Sequence, residues 1–220
     1  MTKHLSIVVS TLLAGLALAL ALTTGLLLLS GCAGGSSTGG QGGASGLRNG
    51  GEVPALPAIY SDPTYGFTLQ IDGTLEKDDA SSSTDAGNYL IVWKQIDGPT
   101  VEGQAVNTIA VGVEDKGAEM SPAEVETAIA AMLSDSEGLA TSLGDEAVVG
   151  ETTETTIDES PAVVVEATMV GPDGATPVTA RIAYVFQGRY IFTIWCSATS
   201  ETWAEIEPFY QASILSFTAQ

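Results

Sequence analysis

The stretch Val178-Thr179-Ala180-Arg181-Ile182-Ala183-Tyr184-Val185-Phe186-Gln187-Gly188-Arg189-Tyr190-Ile191-Phe192-Thr193-Ile194-Trp195-Cys196-Ser197-Ala198 decides the fold. Two runs rich in β-branched and aromatic residues, Val178–Gln187 and Arg189–Ala198, meet at Gln187-Gly188. That composition reads as two strands, and so tight a link makes them an antiparallel hairpin, because parallel neighbours need a long crossover. Upstream, Val149–Ile157 and Ala162–Val170 read as two more strands. Asp158-Glu159-Ser160-Pro161 joins that pair, and Gly171-Pro172-Asp173-Gly174 leads into the hairpin; both are turn chemistry.

Earlier in the chain, Asp62-Pro63 marks a turn, and Phe67, Leu69 and Ile71 alternate with polar residues at the period of a half-buried strand. Tyr89–Gln95 and Val106–Glu114 are further strands. The acidic, serine-rich piece from Glu76 to Asn88 reads as a loop. Ser121-Pro122-Ala123-Glu124 opens a helix: Ser121 caps it, Pro122 takes the first helical position, and Glu124 completes a capping box. Val125, Ile129, Met132 and Leu133 follow at helical spacing to about Ser134, and Leu139–Leu143 offers one further turn. A last helix is expected from Thr199 or Ser200, with Trp203, Ile206, Phe209 or Tyr210, and Ile214 on its apolar face and a kink at Pro208. Antiparallel strands with separate helices define an α+β domain.

Three segments carry a family resemblance. Tyr65-Gly66-Phe67 at an early strand, Asp158-Glu159-Ser160-Pro161-Ala162 at a central turn, and Trp203…Phe209-Tyr210…Ser216-Phe217 at the end resemble the PsbP-like domain. That domain also occurs in DcrB and in bacterial lipoproteins. The resemblance covers Ile59–Gln220 and departs from the family at Ser160, where glycine is common, and around Asp72-Gly73-Thr74-Leu75, which lacks the usual Pro-x-x-Trp. It implies an antiparallel sheet flanked by helices, an α/β/α sandwich, and accessory or binding roles rather than catalysis. No site residue carries over from it.

The first 58 residues speak to location. Lys3 and His4 precede an apolar run from Leu5 to Leu29, which ends in Leu29-Ser30-Gly31-Cys32. This pattern resembles a bacterial lipobox: residues 1–31 are expected to be a signal peptide removed by a peptidase, and Cys32 to carry a lipid. An uncleaved spanning anchor is the alternative, since about 20 apolar residues cross a bilayer. Either way the rest of the chain is exported to the extracytoplasmic face of a bacterial membrane. Residues 32–58 form a Gly/Ser-rich linker, whose 26 residues after Cys32 have a root-mean-square reach of roughly 28 Å, leaving 59–220 as the globular domain.

Composition narrows the chemistry. Seven basic residues face 27 acidic ones, a net charge of −20, so nucleic acid and anionic membrane surfaces are excluded as partners. His4 is the only histidine and would leave with the signal, removing Ser-His-Asp, Cys-His and histidine-metal chemistry from the mature chain. Cys196, in an apolar run, is expected to be packing. There is no Cys-x-x-Cys, P-loop or dinucleotide fingerprint, so no cofactor is expected. Lys77, Lys94 and Lys116 are candidates for a Ser-Lys dyad without a supporting motif, and paired carboxylates among so many acids carry little information. Asp78, Asp79, Asp85 and Asn88 offer oxygen ligands for Ca²⁺ without EF-hand spacing. Trp93, Trp195, Trp203, Tyr184, Phe186, Tyr190 and Phe192 form either core or an apolar ligand pocket. The expectation is a membrane-anchored, non-catalytic binding or accessory module with a protein partner in the cell envelope; the alternative is a carrier of a small apolar ligand or lipid.

Overall fold

The computed structural model describes residues 54–85, 88–144 and 146–220. The expected signal peptide, the lipobox Leu29, Ser30, Gly31 and Cys32, and the linker up to residue 53 lie outside the described residues. The strands are β1 (Ala58–Ser61), β2 (Phe67–Ile71), β3 (Leu75–Lys77), β4 (Ser83–Asp85), β5 (Asn88–Gln95), β6 (Thr100–Val101), β7 (Gln104–Ala105) and β8 (Thr108–Asp115). Helices α1 (Pro122–Ser134) and α2 (Ser136–Leu143) follow. Then come β9 (Val148–Ile157), β10 (Ser160–Val170), β11 (Pro177–Gln187), β12 (Tyr190–Thr199), α3 (Trp203–Leu215) and β13 (Thr218–Ala219).

Every pairing among these strands is antiparallel. The main sheet runs β3-β5-β8-β12-β11-β10-β9, with β4 also on β5; β1-β2-β13 make a small second sheet and β6-β7 a separate ribbon. Strand alternation divides the main sheet's side chains between two cores. On one face Trp93, Val111, Val185, Phe192 and Ile194 pack with Phe67 and Leu69 of β2 and with Tyr210 and Ile214 of α3. On the other, Val163, Val165, Ile182, Tyr184 and Phe186 pack with Ile129 and Met132 of α1 and Leu139 and Leu143 of α2. The result is the α/β/α sandwich of an α+β fold, with the small sheet thickening one side.

The turns refine the sequence reading. Gln187 pairs with Tyr190, so Gly188-Arg189 rather than Gln187-Gly188 closes the central hairpin, with Gly188 at φ 59° in the first central position. Ile157 pairs with Ser160, and the two-residue turn between them places Asp158 and Glu159 at φ 50° and 63°. Ser160 is thus already a strand residue, while two side-chain-bearing residues occupy left-handed positions. Asp158 has a local use, accepting the Ala219 amide at 3.2 Å; Glu159 has no such bond among the described contacts.

Both helix starts follow local chemistry. Ser121 Oγ accepts the Glu124 amide at 3.4 Å while Glu124 accepts the Ser121 amide at 2.7 Å, the reciprocal capping box. Asp135 accepts the Gly138 amide at 2.7 Å and starts α2 three residues before the expected turn. Leu133 departs from its expected role: it is 41 % exposed, because the buried stripe runs through Ile129 and Met132. The segment read as a loop, Glu76 to Asn88, contains β3 and β4, which are short, polar and held by backbone pairing to β5 rather than by apolar burial. Val106 precedes β8 instead of starting it. The last helix begins at Trp203, since β12 continues to Thr199; α3 runs on through Pro208, and Tyr210 rather than Phe209 enters the core.

Two polar clusters fasten the layers on the α3 side. Arg181, 4 % exposed on β11, pairs with Glu166 of β10 and at 2.8 Å with Glu207 of α3, and lies 6.0 Å from the centre of the Trp203 ring. Losing one partner would leave a charge with little water, so the cluster fixes where α3 docks. Asp62, 4 % exposed, accepts the amides of Thr64 and Tyr65 at 2.9 and 2.8 Å and the hydroxyls of Tyr60 and Tyr89. This closes the Asp62-Pro63 turn over β5.

Replacing Glu159 by Gly relieves a left-handed side chain at some cost in unfolded-chain entropy. The expected gain is about 0.5–1 kcal/mol, or ~1–4 °C in a circular-dichroism melt. The buried phenols make the opposite demand at high pH. Burial pushes Tyr184 up to about 12, and burial raises Tyr89 and Tyr210 further, with the Asp62 carboxylate adding to the shift on Tyr89. Because the folded state holds these protons more tightly, their contribution is complete below the ordinary phenol value near ~10 and is lost as pH rises above it. Ultraviolet titration is therefore expected to show delayed ionisation of these tyrosines, released together with loss of the fold.

Candidate functional site: a groove on the half-covered sheet face

Seven strands at about 4.8 Å spacing make a sheet roughly 29 Å wide, while two helices at about 10 Å each cover only ~20 Å. On the face bearing α1 and α2, both helices sit over the β9–β10 side. Among the described residues no helix covers the β5, β8 and β12 part of that face, and a groove of about 750 Å³ occupies the gap. Its floor is Leu90 and Val92 of β5, Ala110 of β8 and Trp195 of β12. Each is less than a tenth exposed, because walls rise on several sides.

One wall is the β6-β7 ribbon. Val101 and Gln104 pair across a turn in which Glu102 and Gly103 both have positive φ, 50° and 79°, the backbone of a tight hairpin. Val101 and Val106 anchor it by packing on Val178, with Met169 alongside. The loop after α2 (Leu143, Gly144, Glu146, Ala147), the β10–β11 turn (Gly171, Pro172, Gly174) and the segment Glu76–Ser81 form the remaining rim. A polar strip ends the floor: Thr108 and Ser197 share a hydrogen bond of 2.9 Å, and Ser197 also donates to the Val106 carbonyl at 3.2 Å.

Charge at the groove is one-sided. Among the described residues Glu76, Asp78, Asp97 and Glu146 line it against a single base, Lys94, whose Nζ lies 3.8 Å from both Glu76 and Asp78. The C-terminal end of α2 also reaches the rim at Leu143 and Gly144, with no basic residue in its last turn. A helix C-terminus carries partial negative charge.

Of the aromatic residues singled out by sequence, only Trp195 lines this groove. Trp93 and Phe192 belong to the opposite core, with Trp203 and Tyr190 packed against it, and Tyr184 and Phe186 belong to the core that α1 and α2 share with the sheet. A seven-residue aromatic pocket cannot form, because neighbours along a strand point to opposite faces. The candidate calcium ligands are engaged locally: Asp78 accepts Ser81 Oγ at 2.8 Å, Asp79 holds Lys77 at 2.9 Å, and Asp85 pairs with Asn88 in the β4–β5 register. Among the described residues no group of three or more His, Cys, Asp or Glu converges as a metal site would require. The three candidate dyad lysines each lie against a carboxylate: Lys77 on Asp79, Lys94 between Glu76 and Asp78, and Lys116 on Glu114 at 2.7 Å. Cys196 is fully buried in the core, where desolvation raises its thiol far above the ordinary range. The groove itself was not legible from sequence; the available signal was Val101-Glu102-Gly103-Gln104, a two-residue turn between β-formers.

By sequence the chain matches no family model and no curated protein. By structure it is similar to cyanobacterial PsbP (CyanoP) from Synechocystis, at TM-score 0.50 and 12 % identity over 79 % of this chain and 99 % of that one. It is also similar to the Ran-binding protein Mog1p of Saccharomyces cerevisiae, at 0.45 and 15 %, covering 74 % of this chain and 94 % of that one. LpqN of Mycobacterium tuberculosis, involved in cell envelope biogenesis, matches at 0.40 and 9 % over 73 % and 88 % of the two chains. At these identities the likeness to CyanoP establishes fold alone. The described domain has a PsbP-like fold.

The ribbon's attachment rests on few contacts. Val106→Ala removes two buried methyl groups and is expected to cost about 1.5–2.5 kcal/mol. Amide exchange should accelerate first across residues 100–105, which hydrogen-exchange mass spectrometry would localise.

Proposed function

We propose that this protein is a membrane-anchored, non-catalytic binding or accessory module of the cell envelope, held by a lipid on Cys32 and exposing its groove above the membrane. The observation that carries the reading is the groove. It is a walled, largely apolar concavity on a sheet face that is otherwise packed, within the ~300–1,000 Å³ range of sites that accept small ligands. The absence of a histidine beyond His4, the burial of Cys196 and the pairing of Lys77, Lys94 and Lys116 with carboxylates support binding over turnover. The lipobox Leu29-Ser30-Gly31-Cys32 supports the anchor. None of the helices among the described residues is long and apolar enough to cross a membrane.

A second reading has the same groove as its specific support: the module carries a small apolar ligand instead of docking an envelope protein. One experiment separates the parts. Cells expressing the chain are fed radiolabelled fatty acid, and a photo-crosslinker is placed at Ala105 on the groove or, as control, at Val148 on β9. Label on the wild-type chain that is lost in Cys32→Ala is expected, and label persisting in the variant overturns the lipid anchor. An adduct formed from Ala105 and not from Val148 is expected, its mass distinguishing protein partner from small ligand. Equal or no adducts at the two positions overturn the groove as the binding surface.

A further inference from the structure

The groove's charge and floor together select a ligand chemistry. The floor is aliphatic apart from Trp195, which suits a saturated chain better than a stack of rings. The charged lining is four carboxylates against Lys94, which two of those carboxylates already flank. The C-terminal end of α2, with no basic residue in its last turn, lies at the same rim, and the chain as a whole is acidic by 20 charges. An anionic head group would meet no unengaged base among the lining side chains and several negative groups; a cationic one meets complementary potential.

We infer that the groove binds a single-chain cationic amphiphile, its aliphatic tail along Leu90, Val92, Ala110 and Trp195 and its amine or quaternary ammonium head at the acidic rim of Glu76, Asp97 and Glu146. This inference rests on the groove being the binding surface, and it adds the ligand's chemical class. Lys94, 3.8 Å from both Glu76 and Asp78, offsets one charge among the four carboxylates, and the selectivity comes from the surplus of acid. Tail burial supplies most of the affinity, since transfer of methylene groups from water scales with the area buried. The head group decides between ligands of equal tail length.

The test uses the Cys32→Ala chain, which keeps every described residue; because the apolar run Leu5–Leu29 stays attached, only binding that Ala105→Trp removes is assigned to the groove. Dodecyltrimethylammonium, dodecyl maltoside and dodecyl sulfate are titrated below their micelle concentrations, with tryptophan fluorescence and native mass spectrometry as readouts. One-to-one binding is expected, with the ammonium compound at least tenfold tighter than the sulfate. The fluorescence response should disappear in Trp195→Phe while the one-to-one adduct persists, since Trp93 and Trp203 lie on the other face. Ala105→Trp, which fills the groove from its edge, should abolish binding with cooperative unfolding retained. Glu76→Lys combined with Glu146→Lys should shrink or invert the head-group preference without abolishing the tail's binding. Equal or tighter binding of the sulfate overturns the head-group assignment. Undiminished binding in a folded Ala105→Trp chain overturns the location. No binding of any of the three compounds, alongside an intact groove crosslink to a protein in cells, overturns the amphiphile while leaving the binding module standing.

Discussion

The structure depends on covering two apolar faces of one sheet. Strands β11 and β12 are buried along almost their whole length on both sides, so neither face of the central hairpin can be left to water. On one side the requirement is met twice over, by α3 and by the small β1-β2-β13 sheet, and Phe67 and Phe217 bring that sheet against Phe192. On the other side only α1 and α2 are available, and they are too narrow for the task. The groove is the remainder of that geometry, kept from flooding by the β6-β7 ribbon and the turns around it. Site and stability therefore share residues: the side chains that floor the groove are also sheet core.

The parts of this arrangement that were legible in the sequence are those governed by local rules. Alternation and turn chemistry located β8 to β12 within one or two residues, and Ser121 with Glu124 specified the start of α1 through a bond pattern that needs only four consecutive residues. The misses have a common origin in contacts between segments. β3, β4 and β13 hold two or three residues each and are strands only because a neighbour supplies hydrogen bonds. Leu133 sits at helical spacing with the core residues but falls outside the arc that the sheet covers. The groove depends on how two helices are placed across seven strands, which no window of sequence encodes. Six of the seven aromatic residues serve the cores alone, since Trp93 and Trp195, alike in composition, sit on opposite faces.

Polar burial has been placed economically. Asp62 gathers two tyrosine hydroxyls and two amides at the turn where the small sheet begins, and Arg181 gathers two carboxylates where α3 lands. Both lie on the α3 side. Among the described residues the α1–α2 side has no equivalent clamp on its floor, only the Thr108–Ser197 hydroxyl pair at one end. Its packing is otherwise apolar.

The outer margin of the main sheet adds a last consequence. β9 has ten residues and among the described residues pairs only with β10, so one row of its backbone donors and acceptors faces outward there. Such a margin invites a second molecule to zip on. Glu151 and Glu154 stand on it among threonines, and two copies brought together would set like charges against each other. The acidity that lines the groove thus recurs at the sheet's margin, where it opposes edge-to-edge pairing between copies of the domain.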